Sequence, residues 1–377
     1  MFKPLLLAAA LTSALAAPAH AATTFAYISS PNDGLISQYR LDESNGAISL
    51  VEQTQAGDKV NPMALSPDGK TLFAAQRVAP FTVLVYSIDG KTGQLHKLSQ
   101  APLADSLAYL STDRSGRFLM GASYGGAVLT VQAIDAEQRV SDKAEVYKTG
   151  PFAHSIRSDI SDRFVYAGNL GVDKVLQFSQ DKKTGALTPI GDGFASTAAK
   201  TGPRHIAFSP NGKFLYVVGE LSGSVTGYAI DPDTGALKQV SLAEGVPESL
   251  GLARGEARSA ANNDLKDDPT PRIWAADIRL SPDGTLLYIT ERTTSSVSAF
   301  KVDPQSGGLS FIGNYPLKEK QPRNIAFFPS GKWLLVTGEK SQTVGSYAIG
   351  DNGSITRVGE APAGDGALWI EILQPKP

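Results

Sequence analysis

Eight side chains that could carry out acid–base or anion chemistry recur at two equivalent positions of a sequence repeat: Arg77, Tyr124, His154, Arg204, Glu220, Arg292, Arg323 and Glu339. Repeat positions without a function should share one residue type, and these positions do not. A glutamate or histidine can act as general base on water, so Glu220 or His154 is a candidate base. Arginines stabilise an oxyanion or hold an anionic group, which is the role we expect for Arg204 and Arg292. The set suits attack of water on a carbonyl group that develops negative charge.

The remaining polar residues of this set, with two residues one step along the same strands, are predicted to bind substrate: Arg77, Tyr124, His205, Asp277, Arg323 and Glu339. Charged residues at strand ends are commonly solvated or paired, as Glu220 with Arg204 could be. Seven charged or ionisable side chains around one axis nevertheless indicate a convergent polar pocket. We expect them to line a solvated mouth and His96, on an outer strand, to lie on the surface.

No metal or cofactor is predicted. The chain has four histidines and no cysteine, so a catalytic zinc site with three histidines is not expected once His20 is removed with the signal segment described below. The sequence also lacks a glycine-rich phosphate loop that opens a helix, a Gly-x-Ser-x-Gly elbow and a calcium loop ending in glutamate.

The repeat that positions these residues is clearest between Gly202 and Leu237. Its turn Ser209-Pro210-Asn211-Gly212 joins two apolar runs, and two further Gly-containing turns lead into a third and a fourth run. The unit therefore reads as four antiparallel strands.

Copies of the two turns divide the whole chain. The turn between the first two strands of the unit is complete six times, at Ser66–Gly69, Asp113–Gly116, Asp159–Asp162, Ser209–Gly212, Ser281–Gly284 and Phe328–Gly331. The turn before the fourth strand occurs seven times, at Asn45-Gly46, Thr92-Gly93, Glu137-Gln138, Thr184-Gly185, Thr234-Gly235, Gly307-Gly308 and Asn352-Gly353. The mismatch arises because the chain begins with a second strand, Phe25 to Ser29, and ends with a first strand, Ala367 to Leu373.

Repeats of about 45 to 50 residues match a four-stranded blade. We therefore predict an all-β fold, a seven-bladed β-propeller forming one domain over residues 23–377, closed by pairing of the last strand with the N-terminal blade. One connection, residues 244–272, is longer than the others and enters the face where the candidate site residues lie. We expect this insertion to act as a lid.

Residues 1–22 read as a secretory signal peptide, with an apolar run from Leu5 to Ala17 and cleavage near Ala21. The run is too short for a membrane span. We therefore expect a periplasmic protein without a membrane span in its mature form. The net charge of −2 gives no sign of nucleic-acid binding.

Several runs resemble the seven-bladed lactonase family, which contains bacterial 6-phosphogluconolactonase and fungal carboxy-muconate lactonizing enzyme. The runs include Asn61-Pro62-Met63, His154-Ser155, Gly202-Pro203-Arg204-His205, Trp274-Ala275-Ala276-Asp277-Ile278 and Gln321-Pro322-Arg323. The similarity covers the mature chain. By resemblance, the histidine, two arginines and glutamate proposed for the family's active site fall on His154, Arg204, Arg292 and Glu220.

The resemblance implies a lactonase that needs no cofactor and binds a small sugar lactone. For an exported member, compartment and family together favour D-glucono-1,5-lactone, hydrolysed to the aldonic acid. Three alternatives remain open at this stage: 6-phosphogluconolactonase activity, muconate-type lactonizing activity with arginines clamping two carboxylates, and a non-catalytic propeller that binds a ligand. The oligomeric state is not indicated.

Overall fold

A computed structural model describes residues 23–373, which form seven sheets of four antiparallel strands. The predicted signal peptide, residues 1–22, lies outside the described residues. The first strands are β1 (Thr24–Ser30), β2 (Leu35–Leu41) and β3 (Ile48–Gln55). Blade 2 contains β4 (Val60–Leu65), β5 (Thr71–Gln76), β6 (Thr82–Ile88) and β7 (Leu95–Pro102).

The next two blades follow the same order. Blade 3 contains β8 (Tyr109–Thr112), β9 (Phe118–Ser123), β10 (Val128–Ile134) and β11 (Val140–Lys148). Blade 4 contains β12 (Ala153–Ser158), β13 (Phe164–Asn169), a 3₁₀ turn (Leu170–Val172), β14 (Lys174–Gln180) and β15 (Leu187–Ser196).

The last three blades complete the series. Blade 5 contains β16 (Pro203–Phe208), β17 (Phe214–Gly219), β18 (Ser224–Ile230) and β19 (Leu237–Glu244). Blade 6 contains β20 (Ala275–Leu280), β21 (Leu286–Glu291), β22 (Ser296–Val302) and β23 (Leu309–Pro316). Blade 7 contains β24 (Pro322–Phe327), β25 (Trp333–Gly338), β26 (Thr343–Ile349) and β27 (Ile355–Pro362).

The final strand, β28 (Trp369–Leu373), returns to the first blade and pairs with β1. Its register runs antiparallel from Phe25 opposite Leu373 to Ser29 opposite Trp369. The predicted propeller and its mode of closure are thus confirmed. The closing strand starts two residues later than the predicted run, after the buried Ala367 and Leu368.

The first strand of each blade lies at the centre of the ring, where β4, β8, β12, β16, β20, β24 and β28 contact one another in succession. Hydrophobic side chains of the first three strands form the clusters between blades, whereas the fourth strands alternate exposed and less exposed residues. Tyrosines add directed contacts between blades. The hydroxyl of Tyr27 donates to the Gly93 carbonyl, that of Tyr166 to Gly235 and that of Tyr288 to Gly353, at 2.6, 2.7 and 2.8 Å.

The insertion at residues 244–272 folds back onto the ring. It contains 3₁₀ segments at Glu248–Leu250 and Ala260–Leu265, and a bridge between Ala253 and Arg272 closes its base. Gly255 donates to the Leu221 carbonyl at 2.8 Å, and a Cβ at Gly255 would lie 2.5 Å from the Ile273 oxygen. Glycine is required there because two backbone segments meet. Within residues 23–373, no helix is long and apolar enough to cross a membrane.

Candidate active site

Bulges at the start of the innermost strands position the polar side chains. Pairing between the first and second strands of a blade shifts register near the same point in five blades. The shifts lie at Asn61 and Pro62, His154, Arg204 and His205, Ala276 and Asp277, and Arg323. An extra residue in one strand redirects its side chain and ends regular pairing. Strand alternation alone would therefore place these residues wrongly.

One cavity of about 140 Å³ opens beside these bulges. It is lined by Arg77, Ala108, Tyr124, His154, Glu220, Arg258, Trp274, Arg292 and Arg323. Six of these were predicted as site residues: Arg77, Tyr124, His154, Glu220, Arg292 and Arg323. The other four predicted residues do not line the cavity, and Arg204, His205, Asp277 and Glu339 instead contact the lining residues or one another.

Glu220 is held between two arginines. Its Oε2 accepts a hydrogen bond from Arg204 Nε at 2.7 Å and forms an ion pair with Arg292 Nη2 at 3.0 Å. Arg292 also donates to the carbonyls of Trp274 and Ala275, at 3.0 and 3.1 Å. No partner for the second oxygen, Oε1, is found among residues 23–373. The carboxylate therefore fixes two guanidinium groups while one of its oxygens stays unpaired.

Burial and charge act in opposite directions on this group. Burial raises the pKa of Glu220, but Arg292, Arg204 and Arg323 together outweigh it, so the net pKa is below the ordinary value. Burial lowers the pKa of Arg292 to about 9 despite the opposing effect of Glu220, which still leaves Arg292 protonated at neutral pH. Glu220 is thus ionised and is a weak proton acceptor.

His154 lines the cavity, its side chain makes no hydrogen bond within the described part of the chain, and its Nδ1 is buried without a partner. Its ring is held edge-on by Tyr124 and His205, with centroids 5.5 and 5.3 Å away. Burial, and then the charge of Arg204, lowers the pKa of His154 well below its ordinary value. The imidazole is therefore neutral at pH 7, with a lone pair free to accept a proton.

His205 and Asp277 do not line the cavity, but they position Arg204 through hydrogen bonds. His205 Nδ1 lies 2.8 Å from Asp277 Oδ1, and its Nε2 lies 3.0 Å from Arg204 Nη1. Both contacts are hydrogen bonds if Nδ1 carries the proton, because an arginine can only donate. Burial lowers the pKa of His205 to about 3, which keeps it neutral. The carboxylate therefore orients the imidazole, and the imidazole orients Arg204.

The cavity carries more positive than negative charge. Arg323 pairs with Glu339 at 2.9 Å. Arg77 donates to the Ser106 hydroxyl at 3.1 Å, and no carboxylate pairs with it among the residues that the structure describes. Burial, with Arg323 nearby, lowers the pKa of Arg77 to about 10, so it too stays protonated. An anionic or strongly polar ligand fits such a lining.

The sequence prediction missed Arg258 and Trp274. Arg258 comes from the insertion and lies over the Trp274 ring at 3.7 Å from its centroid, while Arg292 lies 3.8 Å from the same ring. The Tyr124 hydroxyl donates to the Arg258 carbonyl at 2.8 Å. Trp274 lies in one of the runs that resemble the lactonase family, so the sequence did contain a signal for this residue. No repeat position or motif indicated Arg258.

The expectation of a solvated mouth was wrong for the four predicted catalytic residues. Exposed fractions are 4% for His154, 0% for Arg204, 4% for Glu220 and 4% for Arg292. His154 and Arg204 lie at bulges, whereas Glu220 and Arg292 directly follow β17 and β21; in the folded chain all four side chains are buried. By contrast, His96 is exposed on β7, as predicted.

Comparison with known proteins agrees with this fold. Residues 24–372 match the family model described as lactonase, 7-bladed beta-propeller. The chain is 33% identical over 348 residues to 6-phosphogluconolactonase of Pectobacterium carotovorum, covering 92% of this chain and 98% of that protein. It is 32% identical over 347 residues to the 6-phosphogluconolactonase of Yersinia pestis, covering 92% and 97%.

Solved structures show the same architecture. The periplasmic gluconolactonase of Pseudomonas aeruginosa superposes with a TM-score of 0.79 at 24% identity, covering 94% of this chain and 100% of that one. A protein from Lactobacillus plantarum gives a TM-score of 0.79 at 22% identity, covering 93% and 99%. At these identities the likeness establishes the fold alone.

The family match over residues 24–372 and the 6-phosphogluconolactonase relatives identify the class of protein, a hydrolase that acts on lactone esters. The chain belongs to the lactonase family of seven-bladed β-propellers.

Proposed function

We propose that this lactonase hydrolyses the lactone of a sugar acid, with D-glucono-1,5-lactone as the principal substrate. The observation that carries the proposal is the neutral, unbonded His154 beside a carboxylate that fixes two arginines in one small cavity. Such a cavity supplies a base, an anion-stabilising pair and many hydrogen-bond donors. A polyhydroxylated lactone needs these features.

His154 is the proposed general base. A water held between His154 and the free oxygen of Glu220 attacks the carbonyl carbon, and the imidazole takes the proton. Glu220 is the weaker candidate because two guanidinium groups already contact its Oε2, whereas the His154 imidazole has no partner in the described chain. The imidazolium then returns the proton to the ring oxygen as the ester bond breaks, which yields the open-chain acid.

Arg292 is the proposed oxyanion donor, and Arg204 acts through Glu220. Arg292 lines the cavity and remains protonated, whereas Arg204 is fully buried behind Glu220. A preorganised charge in a site that excludes water stabilises the transition state more strongly than a mobile one does. The sequence predicted the same role for Arg204 and Arg292. In the proposed mechanism Arg292 stabilises the oxyanion, and Arg204 positions Glu220.

A phosphorylated substrate, 6-phosphogluconolactone, is the second candidate. Arg77 and Arg258 line the cavity without a carboxylate partner among residues 23–373, and the curated relatives named above are 6-phosphogluconolactonases. The predicted signal peptide favours the unphosphorylated lactone instead, in a periplasmic setting.

We further propose that the insertion is a lid. Its residue Arg258 forms part of the cavity wall, and its contacts with Tyr124 and Trp274 are few enough to break. Opening would admit the lactone, and closing would exclude bulk water from the reaction.

Acid release in a pH-stat tests these proposals. Purified mature protein should hydrolyse D-glucono-1,5-lactone above the spontaneous rate, with a higher kcat/KM than for 6-phosphogluconolactone or a homoserine lactone. A higher kcat/KM for the phosphorylated lactone would support the second candidate. No acid release above background from any of the three would contradict a sugar-lactone substrate.

A further inference from the structure

A second polar cavity lies at the other end of the channel. It measures about 150 Å³, close to the 140 Å³ of the first. Arg157 lines the second cavity and lies three residues after His154 in β12, so the two sites are separated by roughly 10 Å of strand. Its other polar or aromatic lining residues are Tyr109, Ser111, Thr112, Arg279, Trp369 and Glu371.

The charged groups here do not pair with one another within the described residues. Arg157 donates to the Ile206 carbonyl at 3.2 Å, and no carboxylate partner for it is found in residues 23–373. Glu371 accepts one hydrogen bond at Oε1, from Trp369 Nε1 at 2.9 Å. Burial raises the pKa of Glu371 to about 6, so the carboxylate is ionised at neutral pH. The positive charge of Arg157 and the negative charge of Glu371 are therefore both available to a ligand.

Arg279 adds a second guanidinium. Its Nε bonds to Asp277 Oδ2 at 3.1 Å and to the Ile325 carbonyl at 2.9 Å, which leaves both terminal nitrogens without a protein partner in the described chain. Asp277 has other hydrogen-bond donors besides Arg279, because its oxygens also accept from His205 and Asn324, at 2.8 and 2.6 Å.

Tyr109 supplies independent evidence for a ligand. The residue is 5% exposed and lines this cavity, yet its hydroxyl has no hydrogen-bond partner in residues 23–373. Its ring is held edge-on by His205 and Trp369, with centroids 5.0 and 5.2 Å away. The side chain is buried, but its hydroxyl oxygen reaches the cavity, where a ligand can bond to it.

We propose that this second cavity binds a small hydroxycarboxylate anion. The ligand carboxylate bonds to the guanidinium groups of Arg157 and Arg279, because charge-assisted hydrogen bonds of this kind are roughly twice as strong as neutral ones. A ligand hydroxyl donates to Glu371, and Tyr109 contacts a second oxygen. Aldonic acids, the products of the proposed reaction, belong to this class, and to that extent the inference rests on the proposed function.

A chain of hydrogen bonds connects the two cavities. Arg279 bonds to Asp277, Asp277 to His205, His205 to Arg204 and Arg204 to Glu220, at 3.1, 2.8, 3.0 and 2.7 Å. A ligand that draws Arg279 away from Asp277 therefore disturbs the orientation of Arg204 and Glu220. Occupancy of the second cavity should lower kcat.

Isothermal calorimetry with sodium gluconate tests binding without relying on turnover. The wild-type protein should bind gluconate at a site that survives Arg77→Leu in the catalytic cavity. Arg157→Leu should weaken this binding roughly 10- to 100-fold, and Tyr109→Phe about 3- to 10-fold. Arg139→Leu changes an exposed arginine in the turn before β11; it is the matched control and should change nothing.

Three probes define the ligand class. Acetate, which has only the carboxylate, should bind more weakly than gluconate, and sorbitol, which has only hydroxyls, should not bind measurably. Inorganic phosphate binding more tightly than gluconate would overturn the assignment to hydroxycarboxylates. Gluconate binding that Arg77→Leu abolishes, and that Arg157→Leu leaves intact, would overturn the second site.

Steady-state kinetics test whether a ligand in the second cavity affects catalysis in the first. Gluconate should lower kcat in the wild type and in Arg139→Leu, and act only on KM in Arg157→Leu. Inhibition that stays purely competitive in the wild type would contradict the coupling. Failure of the proposed substrate would show in the pH-stat assay and leave the calorimetric result standing, so the two failures are distinguishable.

Discussion

Arg204 and Glu220 face each other across the first hairpin of blade 5, with Nε 2.7 Å from Oε2 and side-chain exposures of 0% and 5%. Their shared partner, Arg292, comes from blade 6. A buried cluster of two cations and one anion stabilises a fold poorly by itself, since desolvation offsets the attraction. Removing its only anion leaves two cations uncompensated. Substitution of Glu220 is therefore expected to affect both the function and the stability of the fold.

Glu220→Gln should reduce both activity and stability. The loss of the charge leaves Arg204 and Arg292 buried without a counter-ion, which costs about 3–5 kcal/mol of unfolding free energy. Urea denaturation measures this loss, and kcat should be compared at a temperature well below the new Tm. Lys213→Ala, at the opposite end of the same hairpin and exposed, should match the wild type in both. A Tm unchanged in Glu220→Gln would mean that the cluster is solvated after all.

His154→Ala should lower kcat roughly 10²- to 10⁴-fold if this residue is the general base. The imidazole makes no hydrogen bond in the described chain, so its removal disrupts no polar network. Stopped-flow or pH-stat rates with D-glucono-1,5-lactone give kcat. Full activity in His154→Ala, together with a large loss in Glu220→Gln, would transfer the role of base to Glu220.

Stability should fall as the pH drops below 6.5. The pKa values of His154 and His205 are lower in the folded chain than in the unfolded chain, so below pH 6.5 unfolding takes up protons. The neutral histidines therefore contribute stability that is complete above pH 6.5 and is lost towards acid, at up to about 1.4 kcal/mol per pH unit for each. Denaturation curves between pH 7 and pH 5 measure the slope.

Replacement of one buried histidine should reduce this slope, and His205→Asn is the appropriate change. His96→Gln alters an exposed histidine and should leave the slope as in the wild type. Equal slopes in wild type and His205→Asn would contradict the assignment of the pH dependence to that residue.

Displacing the insertion should impair substrate binding. Gly255→Ala would place a Cβ 2.5 Å from the Ile273 oxygen and 2.8 Å from Leu221 Cα, forcing the segment that carries Arg258 outward. We expect kcat/KM to fall, and Arg258→Leu to lower it roughly 10- to 100-fold with little change in Tm. Gly90→Ala, where no atom lies within 4 Å of the added Cβ, is the control. Unchanged kinetics in Arg258→Leu would exclude a binding role for that residue.

Deletion of the residues after Asp365 should expose the edge of β1 and abolish the cooperative thermal transition. Calorimetry and light scattering of the truncated protein measure the transition and aggregation. A normal melting curve would show that β28 is dispensable for closure.

Much of the fold could be predicted because turns repeat visibly in the sequence. In blade 5 the predicted turns Ser209–Gly212 and Thr234-Gly235 lie between strands as expected, since Gly212 and Gly235 take the positive φ that such turns require. Most of the cavity lining was also accessible, because equivalent repeat positions lie at equivalent heights around the axis. The residues Tyr124 and Arg323 were found in this way.

The depth of the site could not be predicted. Alternation along a strand does not reveal a bulge, so the burial of Arg204 and the position of His205 beneath it had no sequence signal. Arg258 lies in an insertion without repeat equivalents, and only the folded backbone, with Gly255 packed on Leu221, brings it over Trp274.

The pairing of Phe25 with Leu373 sets the order in which the protein can mature. Strand β1 is among the earliest parts of the ring to be synthesised, and its partner β28 among the latest. Until residues 369–373 emerge, blade 1 has an open inner edge, and the largest sequence separation in the ring must be closed to complete it, which slows folding. Chains interrupted during synthesis lack this strand and with it Trp369 and Glu371 of the channel. Such fragments should present a recognisable substrate to quality-control proteases, whereas the completed ring should not.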